Sequence, residues 1–134
     1  MTVSARYLSA RGVGAARRGG YAGRDRLLKE TAMLELRPNC EHCDADLPPA
    51  STEARICSFE CTFCARCADQ VLGNVCPNCG GGFAPRPVRP ATDRRNGNFL
   101  GRYPASGTRK HRPADLAAHA LLRQALRDIA AQDR

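Results

Sequence analysis

Eight cysteines fall between Cys40 and Cys79 as C-x2-C, then C-x3-C-x2-C-x2-C, then C-x2-C. Gaps of two and three residues let paired thiolates clasp one ion, and this ladder fits two four-thiolate metal sites better than disulfides or a catalytic arrangement. Cys40, Cys43, Cys57, Cys61, Cys64, Cys67, Cys76 and Cys79 are therefore the expected metal ligands. Zinc is the expected metal, two ions per chain, because tetrahedral zinc takes four soft thiolates. The stretch 33–82 is too short to bury a self-sufficient apolar core, so a coordinate or covalent staple is required. No apolar segment near the N-terminus directs secretion, which favours reduced thiols and hence metal over disulfides. No apolar run approaches the roughly 20 residues that span a bilayer, so a soluble, cytoplasmic protein without membrane contact is expected.

The net charge of +8 is unevenly spread. Residues 1–32 carry seven Arg and Lys against two acids, residues 33–80 three against seven, and residues 81–134 eleven against four, giving +5, −4 and +7. Two zincs, each adding a net −2 with four thiolates, would take the cysteine module to about −8. The first flank reads as a misplaced start or a disordered extension. Lys29-Glu30 can be encoded as a ribosome-binding sequence at a workable distance before Met33, and the excess of Arg (19) over Lys (2) fits a GC-rich genome.

Within the module, Cys40-Glu41-His42-Cys43 and Cys76-Pro77-Asn78-Cys79-Gly80 read as two knuckles whose turn N–H groups point at sulfur, with Gly80 suited to a positive-φ exit. Arg55-Ile56-Cys57-Ser58-Phe59 and Thr62-Phe63 predict two strands around a tight turn. Residues 65–72 predict a short helix carrying Cys67, ended by Gly73-Asn74. Leu36, Ile56, Phe59, Phe63, Val71 and Leu72 are the expected packing residues, and Leu47-Pro48-Pro49 marks a loop.

This ligand order, closing in Cys-Pro-x-Cys, resembles a RING-type zinc domain. The resemblance implies a cross-brace, with Cys40, Cys43, Cys64 and Cys67 on one ion and Cys57, Cys61, Cys76 and Cys79 on the other. The spacing alone leaves sequential pairing open. Ubiquitin-ligase activity is not expected: the places where RING ligases contact a conjugating enzyme hold His42, no aromatic within 68–75, and Gly80. A closer likeness runs from Met33 to about Pro113. Met33-Leu34-Glu35-Leu36-Arg37-Pro38-Asn39-Cys40, Ala54-Arg55-Ile56-Cys57-Ser58-Phe59-Glu60-Cys61-Thr62-Phe63-Cys64, Val75-Cys76-Pro77-Asn78-Cys79-Gly80-Gly81 and Tyr103-Pro104-Ala105-Ser106 resemble domain-of-unknown-function family 1272, short bacterial cysteine-rich proteins. That likeness implies a zinc-binding fold without an assigned activity.

Other thiolate chemistry fits less well. Cys57-x3-Cys61-x-Phe63-Cys64 matches the cluster motif of radical S-adenosylmethionine enzymes, but the chain is too short for their barrel. The ferredoxin-like run Cys61-x2-Cys64-x2-Cys67 is broken by eight residues before the next Cys-Pro. Closed four-cysteine sites leave no open position for water or substrate, so no catalytic residues are expected. His42 reads as an exposed knuckle residue, His111 and His119 lie outside the module, and Glu41, Asp44, Asp46 and Glu60 read as solvated charges.

Residues 83–112 are basic and Pro-rich, so an extended, mobile tail is expected, able to fold back on the acidic module or to reach phosphates. Its candidate nucleic-acid contacts are Arg86, Arg89, Arg94, Arg95, Arg102, Arg109, Lys110 and Arg112, with Phe99 and Tyr103 placed to stack. Residues 113–134 predict an amphipathic helix starting near Pro113. Ala118, Leu121, Leu122, Ala125, Leu126 and Ile129 form its apolar stripe, and Asp115, His119, Arg123 and Arg127 its other side. The chain thus reads as a small metal-stabilised α+β protein: an extension over 1–32, a RING-like cross-brace zinc module over 33–82 with a short hairpin and a short helix, a tail and a helix. The expected role is a non-catalytic adaptor that recognises another protein. A nucleic-acid-binding zinc protein is the alternative, and a redox or metal-handling protein the third.

Overall fold

A computed structural model describes residues 33–134, and the expected extension over 1–32 lies outside the described residues. Glu35–Arg134 form one compact unit. Its centre is a small antiparallel sheet of β1 (Ala54–Ile56), β2 (Thr62–Cys64) and β3 (Ala84–Pro85), in the order β2-β1-β3. Arg55 faces Phe63 across one ladder and Pro85 across the other. β1 and β2 are the expected hairpin. Its loop, Ser58-Phe59-Glu60, is closed by the Cys57 N–H to the Cys61 carbonyl (3.2 Å), with Glu60 at φ 65°. A three-residue hairpin loop needs one left-handed residue, and here Glu60 takes that place.

Helical backbone follows over residues 65–71, as the sequence predicts. Its end, Cys67–Val71, widens into a π-type turn in which the Leu72 N–H reaches the Cys67 carbonyl at 2.7 Å. Gly73 and Asn74, both at positive φ, end it. The core lies between this turn, β2 and the cysteine loops: Leu36, Phe63 and Leu72 are fully buried with Thr62, Cys40, Cys67 and Cys76. Ile56 and Val71 are half-buried. Phe59 corrects the expected core, because the hairpin loop carries it out to 71% exposure. Leu47, Ala54, Ala68 and Val75 supply the apolar area instead. Phe83 closes the core edge-on against Phe63, with ring centroids 5.3 Å apart.

The tail is extended but tied down, which corrects the expectation of mobility. β3 adds its first residues to the sheet, the Ser106 N–H bonds to the Leu36 carbonyl (3.0 Å), and the Arg112 N–H bonds to the Glu41 carbonyl (2.8 Å). The physical reason is the charge partition: a basic strand lies along an acidic module.

The last helix, α1, spans Leu116–Leu126, three residues later in its start than Pro113 and shorter than expected at its end. Asp115 sets the start by accepting from the Ala117 and Ala118 N–H groups at 3.1 and 3.2 Å. The Ala114 N–H is already committed to His42 Nδ1 (2.9 Å), which holds the chain before Asp115 out of the helix. Extended backbone at Ala130 separates α1 from a short 3-10 turn at Ala131–Asp133. The docked face also differs from the predicted stripe. His119 is buried and Leu122 and Leu126 are half-buried, whereas Leu121 is 70% exposed and Ala118 and Ala125 face outward. Polar side chains turn inward because they meet open carbonyls of the module: His119 Nε2 donates to Val75 O at 2.8 Å.

Candidate metal centres

The two outer knuckles share one backbone design. The Cys40 N–H bonds to Ala45 O and the Asp44 N–H to Cys40 O, at 2.8 and 2.9 Å; the Cys76 N–H bonds to Gly81 O and the Gly80 N–H to Cys76 O, both at 2.8 Å. Asp44 (φ 64°) and Gly80 (φ 77°) occupy the same left-handed exit. The sequence points to Gly80 for this role and hides Asp44, a residue type that tolerates the conformation through its short polar side chain. The turns aim N–H groups at sulfur. Cys40 Sγ accepts from the Cys43 N–H (3.5 Å), Cys57 from Phe59 (3.3 Å), Cys64 from Cys67 (3.4 Å), Cys76 from Asn78 (3.4 Å) and Cys79 from Gly81 (3.4 Å). Such bonds favour the thiolate that binds metal.

The sulfurs gather into two groups. Those of Cys40, Cys43, Cys64 and Cys67 lie within 4.8 Å of one another, as do those of Cys57, Cys76 and Cys79. The first knuckle thus shares a group with the cysteines of β2 and the helical turn, and the last knuckle shares one with the hairpin. The grouping alternates along the chain in the order that the RING resemblance implies; sequential pairing is not what the geometry gives. Cys61 lies outside the tight second group. Its sulfur accepts from Asn78 Nδ2 at 3.3 Å and sits beside the Cys76 thiol.

The donor set fits a single metal ion at each group. All eight cysteines are free, and the Cys43 and Cys64 sulfurs stand 3.8 Å apart, far beyond a disulfide bond. A tetrahedron with metal–sulfur bonds of about 2.3 Å has edges of about 3.8 Å. The electrostatics of the metal-free groups point the same way. Hydrogen bonding from the Cys76 thiol, with help from Asn78, holds Cys61 down to about 5, while burial pushes Cys57 up to about 11. Burial also raises Cys40 and Cys67. Burial opposes ionisation of Cys43, but the Ala45 N–H and the neighbouring thiols outweigh it and lower this thiol. Cys43 and Cys61 are thus held lower than the thiols around them, and a cation is the natural replacement for the protons that crowd the rest.

Glu41 is the residue whose importance the sequence conceals. Expected as a solvated charge, it is 2% exposed. Its carboxylate accepts from Arg112 Nη2 (2.7 Å), Asn78 Nδ2 (3.0 Å) and Arg37 Nη1 (3.5 Å). Since Asn78 Nδ2 also reaches Cys61 Sγ, a chain of hydrogen bonds joins the first knuckle to the second sulfur group. Only the partners, all distant in sequence except Arg37, distinguish Glu41 from an ordinary knuckle acid.

His42 is half-buried and belongs to neither sulfur group. Its Nδ1 accepts from the Ala114 N–H, and its carbonyl accepts from His111 Nε2 at 3.2 Å. Asp44 is half-buried, Asp46 is exposed, and both meet Arg109, at 3.0 and 2.8 Å; that guanidinium holds the Asp44 carboxyl below its usual range. Glu60 accepts from the Glu35 N–H (2.6 Å).

Half of the candidate nucleic-acid side chains, those of Arg86, Arg89, Arg109 and Arg112, are bonded within the fold. Arg86 is 4% exposed and donates to the carbonyls of Arg37 (2.8 Å), Leu47 (3.2 Å) and Pro48 (3.0 Å). Its Nε has no partner, and burial lowers its pKa. Arg89 donates to Tyr103 O (2.7 Å), Arg109 pairs with two acids, and Arg112 pairs with Glu41. The Lys110 backbone is pinned on both sides by the Asn39 amide. Arg102 lies against the Tyr103 ring at 5.5 Å. Arg94 and Arg95 are exposed and form no ion pair among the described residues.

Among the described residues no helix is long and apolar enough to cross a membrane. The family model described as "Protein of unknown function (DUF1272)" matches residues 33–89, a span that holds all eight cysteines, β3 and Arg86 and leaves α1 outside. An uncharacterized protein of Rhizobium meliloti (strain 1021) is similar: 58% identical over 85 residues, 63% of this chain and 94% of that relative. No solved structure matches the chain.

Proposed function

We propose that this chain, which belongs to the DUF1272 family of proteins of unknown function, is a two-zinc, non-catalytic adaptor of the reducing cytoplasm, built on a RING-like cross-brace. The alternating grouping of the sulfurs carries the reading. With Cys61 as its fourth member, the second group becomes as closed as the first, and a closed four-thiolate site has no position for substrate or water. The 3.8 Å separation between Cys43 and Cys64 supports one ion per site; a four-iron cluster places an iron beneath each thiolate and needs the sulfurs farther apart. Zinc is the ion that such a set of soft donors selects without imposing redox chemistry.

Protein recognition is favoured over nucleic acid because half of the cationic side chains of the tail, those of Arg86, Arg89, Arg109 and Arg112, are consumed within the fold. Phe59 is the prime contact. At 71% exposure it is the most exposed large apolar side chain among the described residues, held at the tip of a loop braced by Cys57 and Cys61. A photoreactive residue in place of Phe59 is expected to give one discrete protein adduct in cells, competed by unlabelled chain. The alternative is tested by titrating single-stranded DNA at several salt concentrations: binding whose logarithm falls steeply with that of salt, and which is lost on replacing Arg94 and Arg95, would overturn the adaptor reading in favour of nucleic acid.

A further inference from the structure

Where α1 lies on the module, Arg123, Arg127 and Arg134 line one cleft of about 180 Å³ together with Gly73, Val75 and Leu126. No Asp or Glu is among the lining residues, and none of the three guanidinium groups forms an ion pair among the described residues. Arg37, Arg109 and Arg112, by contrast, are each matched by acids. Backbone carbonyls fix two of the three instead. Arg123 Nη1 donates to Val71 O (3.4 Å), and Arg134 donates through Nη1 to Asn74 O (3.0 Å) and Gly80 O (3.2 Å) and through Nε to Ile129 O (3.2 Å). A guanidinium carries five N–H donors, so each keeps donors for a ligand. Gly73 makes the room: at φ +58°, a Cβ there would collide with the Arg123 guanidinium. Three guanidinium groups therefore line one cleft with no acidic side chain to match them.

We propose that this cleft binds a small phosphate-bearing anion, its oxygens held by Arg123, Arg127 and Arg134 and its remainder resting on Val75 and Leu126. Planar guanidinium forks match phosphate oxygens bidentately, which is why arginine is the residue suited to this task. The volume equals about six waters at roughly 30 Å³ each, enough for a phosphate group and a small substituent. No cysteine is among the residues that line the cleft.

Inorganic phosphate titrated into the metal-replete full chain, at ionic strength held constant with chloride, tests the assignment by amide NMR. Saturable shifts are expected at Gly73 and Val75. Arg127→Gln, which removes a side chain with no hydrogen bond among the described residues, is expected to raise the dissociation constant about tenfold, the scale of one charge-assisted hydrogen bond. Arg94→Gln, outside the cleft, is expected to leave it unchanged. Shifts that stay linear with phosphate, that centre on other residues, or that weaken equally in Arg94→Gln overturn the site and leave only diffuse attraction to a basic surface. A Gly73→Ala chain that folds with the same metal content but loses phosphate binding gives independent support, and unchanged binding in that chain counts against the cleft.

Discussion

At the residue scale, stability is concentrated in a few side chains that bring distant segments together. Cys64 is the clearest case, because it ends β2 and shares a sulfur group with the first knuckle. A structural metal site contributes on the order of 10 kcal/mol to folding, comparable to the whole stability of a small domain. Cys64→Ser is therefore expected to abolish the folded state, seen as collapse of amide NMR dispersion; a folded, metal-replete variant would contradict the role. Glu41 ranks next. Glu41→Ala removes the buried carboxylate that gathers Arg112, Asn78 and Arg37 and is expected to cost about 3 kcal/mol in denaturant unfolding. A loss below about 0.5 kcal/mol, the scale of an exposed acid, would restore Glu41 to a solvated charge. The gathering of the cysteines was legible because it is written in their spacing. Glu41 was not: its burial is produced by Arg112 and Asn78, and no local pattern announces a partner 71 or 37 residues away.

At the scale of elements, short-range signals were read correctly where turn chemistry sets them. The helical turn over 65–71 follows from Gly73-Asn74 and lies within the predicted 65–72, whereas the first hairpin strand is Ala54–Ile56, because Ser58 and Phe59, expected in it, form the loop. The orientation of α1 did not follow from its apolar period, because carbonyls of the module recruit His119 to the inner face. This makes a sharp contrast between two positions. His119→Ala is expected to cost about 2 kcal/mol by leaving Val75 O unpaired and opening a hole beneath the helix, whereas Leu121→Ser, at 70% exposure, is expected to change stability by less than about 0.5 kcal/mol. The reverse ranking in thermal or urea unfolding would restore the stripe read from the sequence. β3 was missed altogether, as a two-residue strand ending in Pro85 carries no periodic signal. Its anchor, Arg86, is expected to be intolerant: Arg86→Met leaves the carbonyls of Arg37, Leu47 and Pro48 without that donor and should lower the urea midpoint clearly, while Arg94→Met should not move it.

At the scale of the whole molecule, the two sulfur groups, the acidic module and its basic strap belong to one compact unit. The charge partition along the sequence foretold that attraction, and the eight cysteines foretold two sulfur groups; the interleaving came from a resemblance, because spacing is equally compatible with two independent beads. Interleaving has a physical consequence: each ion would join both ends of the module, so neither site can be lost alone without loosening the other. The central claim is that two closed, single-ion centres hold this fold, and the metal-to-protein ratio of the full chain purified without added metal tests it most directly. The account predicts two zinc ions per chain. Iron in their place, or a folded chain that carries no metal, would contradict it.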